Sequence, residues 1–149
     1  MLFVCVGNSC RSQMAEGFAK KYGSDVLQAE SAGLYPASTV SRLTQEVMAA
    51  KNIDVSGHFA KSIADVEYEK YHIVVNISGH MLPVEPKGRV LHWDVDDPIG
   101  ADKKVFEETA DQIEMLVQGL ILELRKKPKS EPGGWRTRRT QSWKDGESR

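Results

Sequence analysis

The run Cys5–Ser12, which reads CVGNSCRS, most constrains what this chain can fold into. It begins within the apolar run Met1–Val6, which has the length of a buried strand. Gly7 and Asn8 tolerate left-handed backbone conformations, so the chain can turn sharply there. After the run, apolar residues recur at the spacing of a helix face, at Met14, Ala15, Phe18, Ala19 and Tyr22. The sequence therefore predicts a strand, a tight loop and a helix in direct succession.

A loop of this kind favours a bound anion. The N-terminus of the helix leaves backbone N–H groups unsatisfied, and the helix dipole attracts negative charge there. Arg11 adds a planar guanidinium that can hold two oxygens of one oxyanion. We therefore expect a tetrahedral oxyanion to be held by Val6, Gly7, Asn8, Ser9, Cys10, Arg11 and Ser12.

Cys5 is the candidate nucleophile. The field that attracts the anion also favours the thiolate form of Cys5, and Ser12 can donate a hydrogen bond to its sulfur. A thiolate beneath a bound oxyanion can attack phosphorus or arsenic. The competing interpretation is an ordinary strand, turn and helix with two buried cysteines, because free cysteine often packs as a small hydrophobe. The agreement of strand, Gly-Asn turn, Arg-Ser ending and helix favours the catalytic interpretation.

A second motif, Asp97-Pro98, supplies a candidate general acid. Loss of an oxygen leaving group needs a proton, and a carboxyl group is a common donor. Pro98 restrains the preceding residue to an extended conformation, which would hold the Asp97 carboxyl on a defined loop. By itself the motif would predict a surface turn. The presence of Cys5 and Arg11 favours the catalytic role, with Asp94 and Asp96 as weaker candidates.

The rest of the chain alternates between strand and helix patterns. Strands are predicted at Leu2–Val6, Val26–Ala32, His72–Ile77 and Arg89–Trp93. Helices are predicted at Ser12–Tyr22, Ser41–Lys51, Asp65–Lys70 and Lys103–Arg125. Strands separated by helices predict an α/β fold, a three-layer α/β/α sandwich around a four-stranded parallel sheet. In such folds ligands bind at the carboxyl ends of the strands.

Composition divides the 149 residues into two parts. Residues 1–126 are predicted to form one catalytic domain. Residues 127–149 hold seven Lys or Arg against three Asp or Glu and no apolar periodicity, which predicts a basic, disordered tail. A solvated tail is favoured over one that contacts nucleic acid. With no bilayer-length apolar run, no signal peptide and two cysteines, we expect a cytoplasmic protein.

Cys10 and the histidines leave further questions open. Cys10 could form a reversible, redox-active disulfide with Cys5, or it could be a packed and inert thiol. The four histidines show no metal-ligand spacing, so we expect neither a metal nor a cofactor.

The stretch Val4–Gly17, reading VCVGNSCRSQMAEG, resembles the low-molecular-weight protein-tyrosine phosphatase superfamily, and most closely its thioredoxin-type arsenate reductases. The resemblance continues through Glu30–Gly33, Ile53–His58 and His92–Pro98. It implies a phosphotyrosine phosphatase I-like fold, with Cys5 as the nucleophile, Arg11 as the loop arginine and Asp97 as the general acid. Asn8 and Ser12 match the asparagine and serine of the family's loop.

Two reactions share the first step that the resemblance implies. A phosphatase would form a phosphocysteine from a phosphomonoester, such as a phosphotyrosine protein, and hydrolyse it with water. An arsenate reductase would need a second thiol, and the related reductases carry two further cysteines after the third strand. The corresponding region here, Ile73–Pro83, has no cysteine. The sequence therefore favours a phosphatase, with an arsenate reductase that uses an external thiol or a redoxin as the alternative.

Overall fold

The computed structural model describes residues 1–83 and 85–126. These residues form four strands: β1 Leu2–Cys5, β2 Glu30–Gly33, β3 Ile73–Asn76 and β4 Arg89–His92. They form three α-helices: α1 Arg11–Gly23, α2 Arg42–Ala50 and α3 Lys103–Lys126. Two short 3₁₀ turns, Ile63–Asp65 and Tyr68–Lys70, precede β3.

The four strands make one parallel sheet in the order β2-β1-β3-β4. The strand β1 therefore lies inside the sheet, between β2 and β3. Because all strands run in one direction, their carboxyl ends share one edge, and the loops that follow them gather there. The predicted α/β fold with a four-stranded parallel sheet is confirmed.

The two faces of the sheet bury different side chains. Phe3 and Val75 face the helices, where they join a core that contains Phe18 of α1 and Ile113 of α3. On the opposite face, a smaller core is closed by the segment with the 3₁₀ turns, and its buried members are Leu2, Val4, Ala32, Ile63, Tyr71 and Val74. The second outer layer of the three-layer sandwich is thus built from 3₁₀ turns and loops.

The helix predicted at Lys103–Arg125 is confirmed as α3, and an apolar stripe with steps of three and four residues runs along it. Five of its members are buried: Phe106, Ala110, Ile113, Val117 and Leu120. Leu124, near the helix end, is partly buried against the same core. Full burial of one such aliphatic or aromatic side chain stabilises the fold by about 1.5–3 kcal/mol.

One predicted strand boundary and one predicted helix were wrong. The strand predicted at Val26–Ala32 starts only at Glu30, because the N–H groups of Val26 and Leu27 donate to Gly23 O and extend the end of α1. The helix predicted at Asp65–Lys70 is replaced by two 3₁₀ turns, because Val66 between them is extended, with φ −115° and ψ 153°.

The predicted basic tail, residues 127–149, lies outside the described residues. Within the described part of the chain, no helix is both long and apolar enough to span a membrane.

Candidate active site

The predicted loop lies at the carboxyl edge of the sheet, between β1 and α1. Asn8 turns the chain with a left-handed φ of 51°. The loop packs directly on Gly33, the last residue of β2, where a Cβ atom would come within 2.8 Å of both Asn8 N and Val6 O. Only glycine therefore fits at position 33 without displacing the loop.

The loop is held from outside through its carbonyl groups. The carbonyls of Cys5, Val6, Gly7 and Ser9 accept hydrogen bonds of 2.8–3.0 Å from backbone N–H groups of the segment 34–41. Within residues 1–83 and 85–126, the N–H groups of residues 7–11 donate to no protein acceptor. They are thus free to donate to an oxyanion, whereas the N–H of Ser12, also predicted to bind it, donates to Cys5 Sγ. The supporting role of the segment 34–41 was missed, since backbone pairing between loops leaves no sequence pattern.

Cys5 lies at the base of the loop and is 2% exposed. Its Sγ is 2.9 Å from Ser12 Oγ and receives a hydrogen bond of 3.4 Å from Ser12 N–H. Asn8 Nδ2 donates to Ser12 Oγ over 2.7 Å, which leaves the hydroxyl hydrogen for the sulfur. Two hydrogen-bond donors, the hydroxyl and the backbone N–H of Ser12, therefore converge on Sγ.

Asn8 is fixed by a second network that sequence reasoning missed. Gln13 is fully buried and donates from Nε2 to both Asn8 O and Asn8 Oδ1, each over 3.1 Å. The backbone N–H of Lys61 also donates to Asn8 Oδ1. Gln13 Oε1 lies 2.8 Å from His58 Nδ1, and burial lowers the pKa of His58 below its ordinary value. The sequence offered one indication of this network, a polar residue, Gln13, directly before the apolar Met14 on a helix that was predicted to pack against the core.

Arg11 is nearly enclosed, with 5% exposure. Its Nη1 donates to two backbone carbonyls, Ile77 O at 2.8 Å and Val95 O at 2.9 Å. Its Nη2 lies 3.5 Å from Asp97 Oδ2. The guanidinium is therefore oriented by the loops that follow β3 and β4, a long-range arrangement that its position in the sequence does not reveal.

Asp97 lies beside the loop, although it is distant in the sequence. Its carboxylate contacts Arg11, and its Oδ1 accepts a hydrogen bond from Ile99 N–H over 3.1 Å. Its side chain is 44% exposed, so water and a substrate can reach it. The structure thus brings Cys5, Arg11 and Asp97 together at one site, as a catalytic role for each requires.

Cys10 is buried in the helix-side core and is a free thiol, as Cys5 is. Burial raises the pKa of Cys10 to about 12, and a hydrogen bond with Thr44 opposes that rise only in part. The thiol is therefore neutral at physiological pH. This environment favours the packed and inert role for Cys10 over the redox role.

Two of the pockets on the described part of the molecule lie at opposite ends of the strands. One, of about 400 Å³, lies at the carboxyl ends of β3 and β4, and Arg11 forms part of its wall. The larger one, of about 660 Å³, lies near Met1 and His72 at the opposite edge of the sheet. The smaller pocket lies at the same edge of the sheet as Cys5, Arg11 and Asp97, and of these three Arg11 lines it. Within the described residues, no cluster of three or more His, Cys, Asp or Glu side chains could hold a metal ion.

Curated relatives match the sequence of this chain over most of their own length. A glutaredoxin arsenate reductase of Synechocystis sp. is 33% identical over 128 residues, which cover 83% of this chain and 97% of that protein. An arsenate reductase of Halalkalibacterium halodurans is 39% identical over 121 residues, which cover 74% of this chain and 86% of that protein.

Solved structures give a consistent result. An arsenate reductase in the phosphate-binding state aligns with a TM-score of 0.76 at 32% identity, covering 83% of this chain and 96% of that chain. The arginine phosphatase YwlE aligns with a TM-score of 0.73 at 22% identity, covering 87% of this chain and 98% of that chain, which shows a shared fold. The model of the family described as low molecular weight phosphotyrosine protein phosphatase matches residues 1–130. This chain belongs to that family.

Proposed function

We propose that this chain is an arsenate reductase that depends on an external thiol. The observation that carries the proposal is the 33–39% identity with arsenate reductases, which covers 74–83% of this chain. This identity favours the arsenate reductase, which was the alternative in the sequence analysis, over the phosphatase that the sequence alone favours. Arsenate has the tetrahedral shape and negative charge that the loop accommodates.

In the first step, Cys5 attacks arsenic. Arsenate binds to the N–H groups of residues 7–11 and to the guanidinium of Arg11, above the sulfur. A bond forms between Cys5 Sγ and arsenic while one arsenic–oxygen bond breaks. Asp97 donates the proton that lets this oxygen depart as water. Ser12 stabilises the thiolate before the attack by donating to Sγ.

In the second step, a thiolate attacks the sulfur of the arsenic adduct. A sulfur–sulfur bond forms, the sulfur–arsenic bond breaks, and its electron pair stays on arsenic, which leaves as arsenite. The chain has no cysteine between Ile73 and Pro83, and Cys10 is an enclosed neutral thiol. The attacking thiol therefore comes from outside, and a further thiol regenerates Cys5 by exchange.

Phosphomonoester hydrolysis is the second candidate, because everything that it requires is in this chain. Cys5 would attack phosphorus, Asp97 would protonate the leaving oxygen, and water activated by Asp97 would then cleave the phosphocysteine. The partly exposed carboxylate of Asp97 beside Arg11 is the observation that favours it. Phosphotyrosine proteins are one substrate class that such a site could accept.

Parallel incubations separate the two functions. The purified chain is given an aryl phosphate without thiol, and arsenate with either a small thiol or a redoxin system. The proposal predicts arsenite release that depends on an added thiol. Rapid ester turnover without thiol, combined with no arsenite under any condition, would establish the phosphatase instead.

A further inference from the structure

An external thiol needs a binding place beside Cys5. Cys5 is 2% exposed at the base of the loop, and the attacking sulfur must reach bonding distance of it. A cysteine fixed on the surface of a folded protein would have to enter the loop to do so. A small thiol can enter while the rest of the molecule binds nearby.

The pocket of about 400 Å³ beside Arg11, here called the side pocket, has a suitable position. Its walls include Ile77 and Val95, whose carbonyls hold Arg11 Nη1. Neighbouring strands lie about 4.8 Å apart, so the ends of β3 and β4 are about 5–10 Å from Cys5. A ligand the size of a tripeptide that binds there can extend its sulfur to the nucleophile.

The walls of the side pocket suit a ligand with charges of both signs. The imidazoles of His80 and His92 can donate hydrogen bonds to carboxylates, and Asp94 can pair with an ammonium group. Trp93 and Met81 offer apolar surface, and Met81 is 92% exposed. Arsenate is a small hydrophilic anion and is too small to contact all of these walls.

One wall of the side pocket is held in place by its own hydrogen bonds. Asn76 Nδ2 donates to His80 O over 2.8 Å, and Ser78 Oγ donates to Asn76 Oδ1 over 2.6 Å. The backbone N–H of His80 donates to Ser78 Oγ over 3.0 Å. Gly79 closes the turn with a φ of 79°. The wall is therefore already ordered, which lowers the entropy cost of binding.

We propose that the side pocket binds the body of a small zwitterionic peptide thiol of the glutathione type and directs its sulfur to Cys5. This inference rests on the proposed arsenate reductase function. The bound thiolate attacks Sγ of the arsenic adduct and forms a mixed disulfide with Cys5, while two electrons pass to arsenic. A second molecule of the same thiol then releases the oxidised dimer and restores the Cys5 thiolate.

Calorimetric titration with S-methylglutathione, which has no reactive thiol, tests the binding step on the full chain. The combined replacement His80→Ala and His92→Ala should weaken binding about 5- to 100-fold, because two hydrogen bonds to the ligand are lost. His72→Ala, an exposed histidine at the other edge of the sheet, is the matched control and should leave the affinity unchanged. Absence of binding, or equal affinity of the wild type and the double variant, overturns the proposal.

Kinetics distinguish this inference from the proposed function. In arsenate reduction with glutathione, the double variant should show a higher KM for glutathione by the same factor and an unchanged KM for arsenate. Arsenite release with an unchanged KM for glutathione overturns the side pocket alone. Absence of arsenite with every thiol, while S-methylglutathione still binds through the histidines, overturns the reductase function alone.

Discussion

At the scale of single residues, the site depends on a few short contacts to Cys5 and Arg11. Cys5, Asn8, Arg11 and Ser12 were predicted from one local motif and Asp97 from the Asp-Pro motif, both supported by the family resemblance, and their catalytic roles remain predictions. Gln13 and His58 could not be named, since their roles arise only when the segment 58–61 folds against the loop. Sequence also left the state of Cys10 open, which depends on its burial.

Ser12→Ala removes the hydroxyl that donates to Cys5 Sγ. Because a hydrogen bond to a charged group contributes about 1.5–3 kcal/mol, the rate of the first step should fall about 10- to 100-fold. Single-turnover kinetics measure this rate directly. Ser38→Ala, at an exposed position of the segment 34–41, is the control. Equal rates for both variants would remove Ser12 from the mechanism.

Asp97→Asn keeps the shape of the side chain but removes the donated proton. Since Arg11 remains held by Ile77 O and Val95 O, binding of the oxyanion should change little, while kcat should fall about 10²- to 10⁴-fold. In steady-state kinetics, the inhibition constant of phosphate measures oxyanion binding, and kcat measures the loss of the donated proton. The exposed neighbour variant Asp96→Asn should behave as the wild type, and an equal loss in both would refute the assignment to Asp97.

The thiol of Cys10 links stability to alkaline pH. Its pKa is raised from 9.0 to about 12 in the folded chain, so the neutral form stabilises the fold below pH 9. That contribution should be lost as pH rises from 9 to 12, at up to about 1.4 kcal/mol per pH unit. The free energy of unfolding, measured by urea titration across this range, should fall more steeply in the wild type than in Cys10→Ala. Parallel pH profiles for the two proteins would show that burial does not shift the thiol.

At the scale of elements, the loop owes its shape to β2 as much as to β1 and α1. The helices α1 and α3 were predicted to within one residue at each end, because apolar residues recur at regular steps along a helix face. The predicted start of β2 was wrong. Val26 and Leu27 are residue types that favour strands, but their N–H groups donate to Gly23 O in a turn after α1. The contact between Gly33 and the loop joins residues distant in the chain, so no local pattern predicts it.

Gly33→Ala tests the contact between β2 and the loop. Its Cβ would meet backbone atoms of Asn8 and Val6 at 2.8 Å, which a flexible side chain cannot relieve. We expect a loss of about 1–3 kcal/mol in the free energy of unfolding and weaker inhibition by phosphate. Gly119→Ala in α3 is the matched control, because its Cβ would meet nothing within 4 Å. That variant should gain about 0.5–1 kcal/mol, and equal behaviour of the two would contradict the packing argument.

At the scale of the whole molecule, the fold gathers the loops that follow β2, β3 and β4 around the oxyanion loop and Arg11. Parallel strands put the oxyanion loop, the carbonyls that orient Arg11 and the Asp97 loop at one edge of the sheet. The alternation of strands and helices predicted the parallel sheet and the edge at which ligands bind, but not the contacts of Ile77 O, Val95 O and Asp97 with Arg11. The choice between water and a thiol as the second reactant does not follow from the fold, since both reactions use the same edge.

The most direct test of the central claim is arsenite release as a function of glutathione concentration. We predict release that saturates with glutathione in the wild type, persists in Cys10→Ser and is absent in Cys5→Ser. The same sample should contain a mixed disulfide at Cys5, visible by mass spectrometry only when arsenate is present. Arsenite release by Cys5→Ser at the wild-type rate, or no release from the wild type with any thiol, would contradict the account.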